Sequence, residues 1–295
     1  MDIFTVWVYS EEKMIDLHTH SNASDGTFSP SALMENAKAR GLTAVALTDH
    51  DTVSGFAEAE AAALRLGIRF IRGIEIGIQW EPGEFHLLGL GINNPGADFF
   101  AAVSELTELR ERRNREMIVR MQRSGFNVSY ENILAISGNS FIGRPHFAAL
   151  LVNKGIVKSK EQAFDRYLGK GRPFYVHKDG LELRRAIDII KNAGGIAVLA
   201  HPMSLYVAWG RLPDVIKGLK DDGLDGIEAW HPTAKVCACR RLEKLGRSLG
   251  LVITAGSDFH GESRPDRRLG ITAGKIKIEE AILEAIPMLA SANSL

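Results

Sequence analysis

Seven short apolar runs, most of them delivering a histidine or a carboxylate, constrain what this chain can fold into. The first, residues 15–18, ends at His18, with His20 two positions on and Asp25 beside Gly26 on a turn. Side chains of an extended chain alternate with period two, so His18 and His20 project to one side. Residues 43–48 deliver Asp49, His50 and Asp51, residues 69–75 deliver Glu75, and residues 85–91 carry His86 near their start. Residues 196–200 lead to His201, residues 226–230 to His231, and residues 251–255 to Asp258 and His260. Short continuous apolar runs of this kind read as parallel strands buried on both faces.

Helical stretches separate most of the runs. Ser29-Pro30 supplies a cap and a first-turn proline for a helix that stops at Gly41, and residues 54–66 close at Gly67. Residues 181–193, 213–222 and 235–249 read as three more, and residues 261–295 as one short strand and a terminal helix. The alternation breaks between residues 93 and 180. There Phe99, Val103, Leu106, Met117 and Met121 mark a long amphipathic helix over residues 98–123, followed by pieces over 141–152 and 160–168. The expected architecture is α/β: a barrel of seven strand–helix units over residues 14–92 and 181–295, interrupted by a helical cap over 93–180. In a parallel barrel the C-terminal strand ends share one face, so ligands scattered over the sequence would converge there.

Composition narrows the partners. Lys plus Arg and Asp plus Glu both number 36, so no global field favours duplex DNA or a membrane surface. No run reaches the roughly 18 apolar residues of a membrane span. Cys237 and Cys239, poorly spaced to bridge, read as thiols in a reducing, cytoplasmic compartment. Residues 1–13 lack the basic start and cleavage site of a signal peptide and read as a leader before Met14.

His18, His20, Asp25, His50, Glu75, His86, His201, Asp258 and His260 together make six imidazoles and three carboxylates. Any one has a duller explanation: Asp25 can make a turn, and His86 can be an ordinary strand histidine. Recurrence at six strand ends is hard to explain that way, and nine ligands exceed what one ion takes. Two or three divalent ions sharing a bridging carboxylate would use them.

His18-Thr19-His20, Thr48-Asp49-His50-Asp51, Glu75, His86, His201-Pro202 and Ser257-Asp258-Phe259-His260 resemble the motifs of the PHP (polymerase and histidinol phosphatase) family. The resemblance implies a distorted seven-stranded (β/α) barrel with a trinuclear centre, manganese favoured over iron or zinc. It implies one ion on His18, His20, Glu75 and Asp258, a second on Glu75, His86 and His201, and a third on Asp25, His50 and His260. His201 and Asp258 would be catalytic. Within the family, Gly143-Arg144-Pro145-His146 and Gly169-Lys170-Gly171-Arg172 are similar to the small bacterial phosphoesterases that act on nucleoside 3′,5′-bisphosphates and trim short RNA from its 5′ end. Arg144, His146, Lys170 and Arg172 would then bind substrate. His177, His231, Cys237 and Cys239 have no assigned role.

Phosphoester hydrolysis requires a hydroxide near neutral pH, here one bridging the metals, and neutralised phosphate oxygens. Divalent ions roughly 3.5–4 Å apart supply both. The cap carries 14 Lys and Arg against 9 Asp and Glu, which suits a nucleotide or short oligoribonucleotide. Arginines from Arg110 to Arg123 alternate with glutamates and read as a solvated face. A phosphatase for a small metabolite such as histidinol phosphate, and a non-catalytic metal-binding regulatory module, are the competing readings.

Overall fold

The computed structural model describes residues 13–138, 141–177 and 179–290, so the expected leader, apart from Lys13, lies outside the described residues. In chain order the elements are β1 (Met14–Asp16), α1 (Pro30–Ala39), β2 (Leu42–Leu47), α2 (Phe56–Leu66), β3 (Arg69–Ile78) and β4 (Phe85–Leu90). Helices α3 (Ala97–Arg123), α4 (Tyr130–Ser137), α5 (Arg144–Asn153) and α6 (Lys160–Ala163) follow, α6 running into a π-turn at Phe164–Leu168. The chain returns through α7 (Leu183–Asn192), β5 (Ile196–Leu199), α8 (Leu212–Asp221), β6 (Gly226–Trp230), α9 (Val236–Ser248) and β7 (Val252–Ala255). Short helices α10 (Ala281–Glu284) and α11 (Pro287–Ala290) end it.

The strands lie side by side in sequence order, β1 to β7. Neighbours are parallel except at β4, which is antiparallel to both β3 and β5. The all-parallel expectation fails there for a simple reason. Only residues 79–84 join β3 to β4, and a parallel return needs a crossover of about a dozen residues or more. Reversal puts the N-terminal end of β4, not its C-terminal end, on the face where the other strands deliver their polar residues. That is why His86 stands near a strand start.

Past its last strand the sheet closes on itself. Asp258 N–H donates to the His18 carbonyl and His20 N–H to the Phe259 carbonyl, both at 2.9 Å. At this seam the backbone passes so near β1 that a Cβ on Gly256 would stand 2.2 Å from the His18 Cβ, so only glycine fits. Ile15, Leu17, Ala44, Ala46, Leu88 and Leu90 are buried in one cluster with period two along their strands.

Two departures are local. Residues 261–290 hold 3-10 turns and short helices where a strand was expected, with only isolated bridges such as Ile271–Lys277. Helix α4 is absent from the periodicity but is fixed by a reciprocal cap between Ser129 and Asn132.

Helix α3 serves two cores. Phe99, Ala102 and Leu106 pack with Ile187 and Ile190 of α7, whereas Met117, Ile118 and Met121 pack with Phe147, Leu151 and Phe174.

The buried carboxylate of Asp16 clasps the closure. It accepts from the N–H groups of His18 (3.3 Å), Ser257 (2.9 Å) and Gly270 (2.8 Å). Asp16→Ala orphans buried donors and should cost about 3 kcal/mol, a fall in Tm of roughly 6–12 °C. Thermal unfolding measures it, and an unchanged Tm would remove the clasp.

Candidate metal centre

Glu75, buried within β3, is the hub. Its Oε1 lies 2.9 Å from His86 Nδ1 and 2.9 Å from His201 Nε2. Its Oε2 lies 3.3, 3.2 and 3.1 Å from His18 Nε2, His20 Nε2 and His50 Nδ1. Beside it Asp258 Oδ1 stands 3.5 and 3.4 Å from His18 and His20, and Asp25 Oδ1 stands 3.2 Å from His260 Nε2. All nine residues singled out by the motifs therefore meet in one cluster, His18, His20, Glu75, Asp258 and His260 buried and the other four half-buried, drawn from both sides of the barrel seam.

The backbone that delivers them is pinned from behind by buried carboxylates. Asp49 accepts from Ser21 N–H and from the Ser21 and Ser24 hydroxyls, shaping the turn after His20. Asp51, at a positive φ of 51°, accepts from Gly77 N–H and holds the loop of His50 against β3. Glu228, on β6, accepts from His201 N–H at 2.8 Å and lies 2.9 Å from His18 Nδ1.

These contacts fix where the imidazole protons sit. His18 Nδ1 faces the Glu228 carboxylate, His260 Nδ1 faces the Asp258 carbonyl (2.9 Å), and His201 Nδ1 faces the Ser204 hydroxyl, which itself donates to the Glu84 carbonyl. In the neutral ring each Nδ1 then carries the hydrogen, which leaves each Nε2 bare. Those bare nitrogens point at carboxylate oxygens, and His18 Nε2 also at His20 Nε2, 3.1 Å away. Lone pairs facing lone pairs repel, and only protons or metal cations can reconcile them.

The charge pattern agrees. Burial would raise the Glu75 carboxyl, but the surrounding imidazoles of His50, His86 and His18 hold it well below its usual range. Burial would lower His20, but its bonds to Asp258 and Glu75 push it up to about 10. Burial drives His50 down to about 3. Among the described residues the buried atoms His20 Nδ1, Asp25 Oδ1, His50 Nδ1, Glu75 Oε2 and His86 Nδ1 have no well-aligned hydrogen-bond partner, however close their ionic neighbours stand. Donors of this mixed imidazole and carboxylate kind, converging and unsatisfied, fit divalent metal ions.

Candidate donor groups are His20, Asp25, His50 and His260; His18, His20 and Glu75; His50, Glu75 and His86; and His18, His231 and Asp258. The last contains His231, to which the motifs assign no role; its Nε2 lies 3.2 Å from Asp258 Oδ2. Arg267 reaches the same oxygen at 3.3 Å. Glu228 was missed as well. A carboxylate in the middle of an apolar strand is its signal, because buried charge persists only when paired.

The cations are distributed differently from expectation. Arg110 and Arg113 belong to no solvated face: they are 7% and 6% exposed. With Leu106 and Met117 they recur at helical spacing along the buried stripe of α3. Arg110 pairs with Asp51 and lies 3.9 Å over the Phe141 ring. Burial and the neighbouring guanidiniums of Arg110 and Arg144 lower Arg113 to about 9. Arg110, Arg113 and Arg144 line a cavity of about 330 Å³ together with Asp25, His50 and His86. Arg144 pairs with Glu84 at its rim. Arg264 and Arg267, from the loop after β7, line the adjoining cavity of about 420 Å³ that contains His201 and Asp258. Lys170 turns to Glu81 (2.6 Å) and the Pro82 carbonyl, Arg172 is exposed, and His146 Nδ1 accepts from Gly143 N–H as a helix cap. His177 faces Glu81 at 3.6 Å, and both cysteines are free thiols.

Comparison with known proteins places the chain in a family. The family model for the PHP domain matches residues 16–181. A 5′-3′ exoribonuclease of Haemophilus influenzae is 36% identical over 84% of this chain and 90% of its own. A 3′,5′-nucleoside bisphosphate phosphatase of Chromobacterium violaceum is 34% identical over 88% and 91%. Among solved structures, an amidohydrolase from Chromobacterium violaceum with bound sulfate superposes with a TM-score of 0.82 at 32% identity, covering 93% of this chain and 96% of that one.

Elemental analysis of protein made in manganese- or iron-supplemented medium should find two or three ions per chain, and chelation should lower Tm because ligands that bind only the folded state stabilise it. One ion or none at saturation would reduce the centre to a simpler one.

Proposed function

Because this chain belongs to the PHP domain family, and is a metal-dependent phosphoric ester hydrolase, we propose that it removes a terminal phosphate from nucleotides that carry a second one. Nucleoside 3′,5′-bisphosphates are the first choice of substrate and short RNA 5′ ends the second. The observation that carries this reading is the triad of cap arginines, Arg110, Arg113 and Arg144, in one cavity with Asp25, His50 and His86. Arg110 and Arg144 are held by Asp51 and Glu84, and a phosphate entering the cavity would compete for the forked donors of the three guanidiniums, which it accepts in pairs. A lone phosphate monoester needs no such second pole. Relatives named for bisphosphate hydrolysis and for 5′-3′ RNA cleavage support the same substrate class.

The chemistry that divalent ions supply when bound is neutralisation of phosphate oxygens and an attacking water acidic enough to react near neutral pH. In our assignment His18, His20, Asp25, His50, Glu75, His86, His201, Asp258 and His260 hold them, with Glu75 shared. We take manganese as the ion, since imidazole and carboxylate oxygen both suit it. The remaining work belongs to the protein. Arg267 and His231 hold Asp258 Oδ2, so that Oδ1 faces the cluster, and Glu228 fixes the rings and backbone of His18 and His201. His201 and Asp258 are expected to be indispensable to turnover. The free thiols Cys237 and Cys239 accord with a cytoplasmic location.

Assays on nucleoside 3′,5′-bisphosphates, 5′-phosphorylated oligoribonucleotides and histidinol phosphate separate the readings, and a preference for histidinol phosphate would overturn ours. Arg144→Ala should lower kcat/KM for a bisphosphate about ten- to a hundredfold more than for a simple phosphate monoester, the worth of one charge-assisted contact at about 1.5–3 kcal/mol. Equal losses on the two substrates would place Arg144 at the reacting phosphate instead.

His201→Ala or Asp258→Ala should abolish nearly all turnover while the circular dichroism spectrum is kept. A variant that retains most of its activity would remove that residue from the mechanism.

A further inference from the structure

A nucleotide whose phosphates are held by metals and arginines still has a base to place, and that base must leave the cavity through an open wall. One wall of the cavity that contains His201 and Asp258 is the turn after β5, where Met203, Ser204 and Tyr206 line it. Tyr206 is 74% exposed there, the most open of the large hydrophobic side chains described.

Its exposure is built in. The segment begins at His201 with φ of 26° and ends at Tyr206 with φ of 53°, both in the region that disfavours residues with a Cβ. Such strain persists only where surrounding contacts over-determine it. Here the Ser204 hydroxyl donates to the Glu84 carbonyl at 2.9 Å, Glu84 N–H donates to the Ser204 carbonyl at 2.8 Å, and Trp80 Nε1 donates to the Leu205 carbonyl at 3.2 Å. Leu205, the neighbour of Tyr206, is fully buried. The backbone that carries the ring is thus held in place, and the ring itself stands open to whatever occupies the cavity.

We propose that Tyr206 is a stacking face for the nucleobase of the substrate. This rests on the nucleotide reading above and adds to it the group that recognises the base. Every base has a π-face, so the contact would be strong without selecting among bases. The competing aromatic is Phe164, which lines both the arginine cavity and a neighbouring one of about 580 Å³ with Lys160 and Arg264. Phe164 is only half-exposed, whereas Tyr206 is open, and Glu161, Asp165 and Asp266 line the second of its two cavities, so Tyr206 offers the more accessible face and Phe164→Ala serves as the comparison.

Two readouts test the proposal on the metal-loaded protein. The first is quenching of the fluorescence of 2-aminopurine riboside 5′-monophosphate, a base analogue that dims when stacked, on titration with wild type, Tyr206→Phe, Tyr206→Ala and Phe164→Ala. The second is steady-state turnover of adenosine 3′,5′-bisphosphate against the abasic ribose 3,5-bisphosphate. Wild type and Tyr206→Phe should quench, and Tyr206→Ala should not. Tyr206→Ala should raise KM for the nucleotide about ten-fold more than for the abasic substrate, the worth of one base–aromatic stack. Equal behaviour of Tyr206→Ala and wild type, absence of quenching by wild type, or loss with Phe164→Ala instead would overturn it. A wild type that quenches but hydrolyses no nucleotide would keep the stacking face and remove the substrate reading.

Discussion

The burial of Glu75 among five imidazoles is the interaction on which the rest of this structure depends. A carboxylate withdrawn from water is expensive unless opposite charge surrounds it, and neutral imidazoles offer lone pairs as readily as protons. Because the backs of His18, His201 and His260 are committed to Glu228, Ser204 and the Asp258 carbonyl, their fronts, in the neutral rings, have no hydrogen to give Glu75 or its neighbours, and only an added proton or a metal ion supplies the positive charge. Cations are thus part of the folded state's electrostatic balance, and the arrangement of strand ends can be understood as a scaffold for that requirement.

Behind the ligands, four carboxylates do the positioning: Asp16, Asp49, Asp51 and Glu228. Three of them tie the loop after one strand to backbone of another strand or loop, and Asp49 ties the β2 end to the turn after His20. The pattern is a ring of buried acceptors one layer below the site, each taking at least one backbone N–H from a neighbouring strand or loop. A site built in this way inherits the rigidity of the sheet.

Much of this could be read in the residues. Apolar runs ending at His18, His50, Glu75, His201 and Asp258 announce both the strands and the centre, since a period of two and a polar terminus are local properties. What escaped was non-local or masked by composition. The reversal of β4 follows from the short link at residues 79–84, yet an apolar run looks the same in either direction. Arg110 and Arg113 lie among glutamates that resemble a solvated face, and only their registration with Leu106 and Met117 betrays burial. Lys170 sits in a glycine-rich turn as a phosphate ligand would, but Glu81 claims its ammonium. No spacing rule could foresee that pairing across 89 residues.

Helix α3 has a consequence for selectivity. Its 27 residues extend roughly 40 Å at 1.5 Å per residue. Its first turns are embedded beside the sheet, its last turns organise the other helices, and its middle carries Arg110 and Arg113. A lid needs a hinge between what moves and what stays, and a continuous helix embedded at both ends provides none. The spacing between Arg110, Arg113 and the metal ligands is therefore a gauge set by one continuous helix, whereas Arg144 belongs to α5. On the proposed reading, substrates would be sorted by whether the separation of their two phosphates matches that gauge.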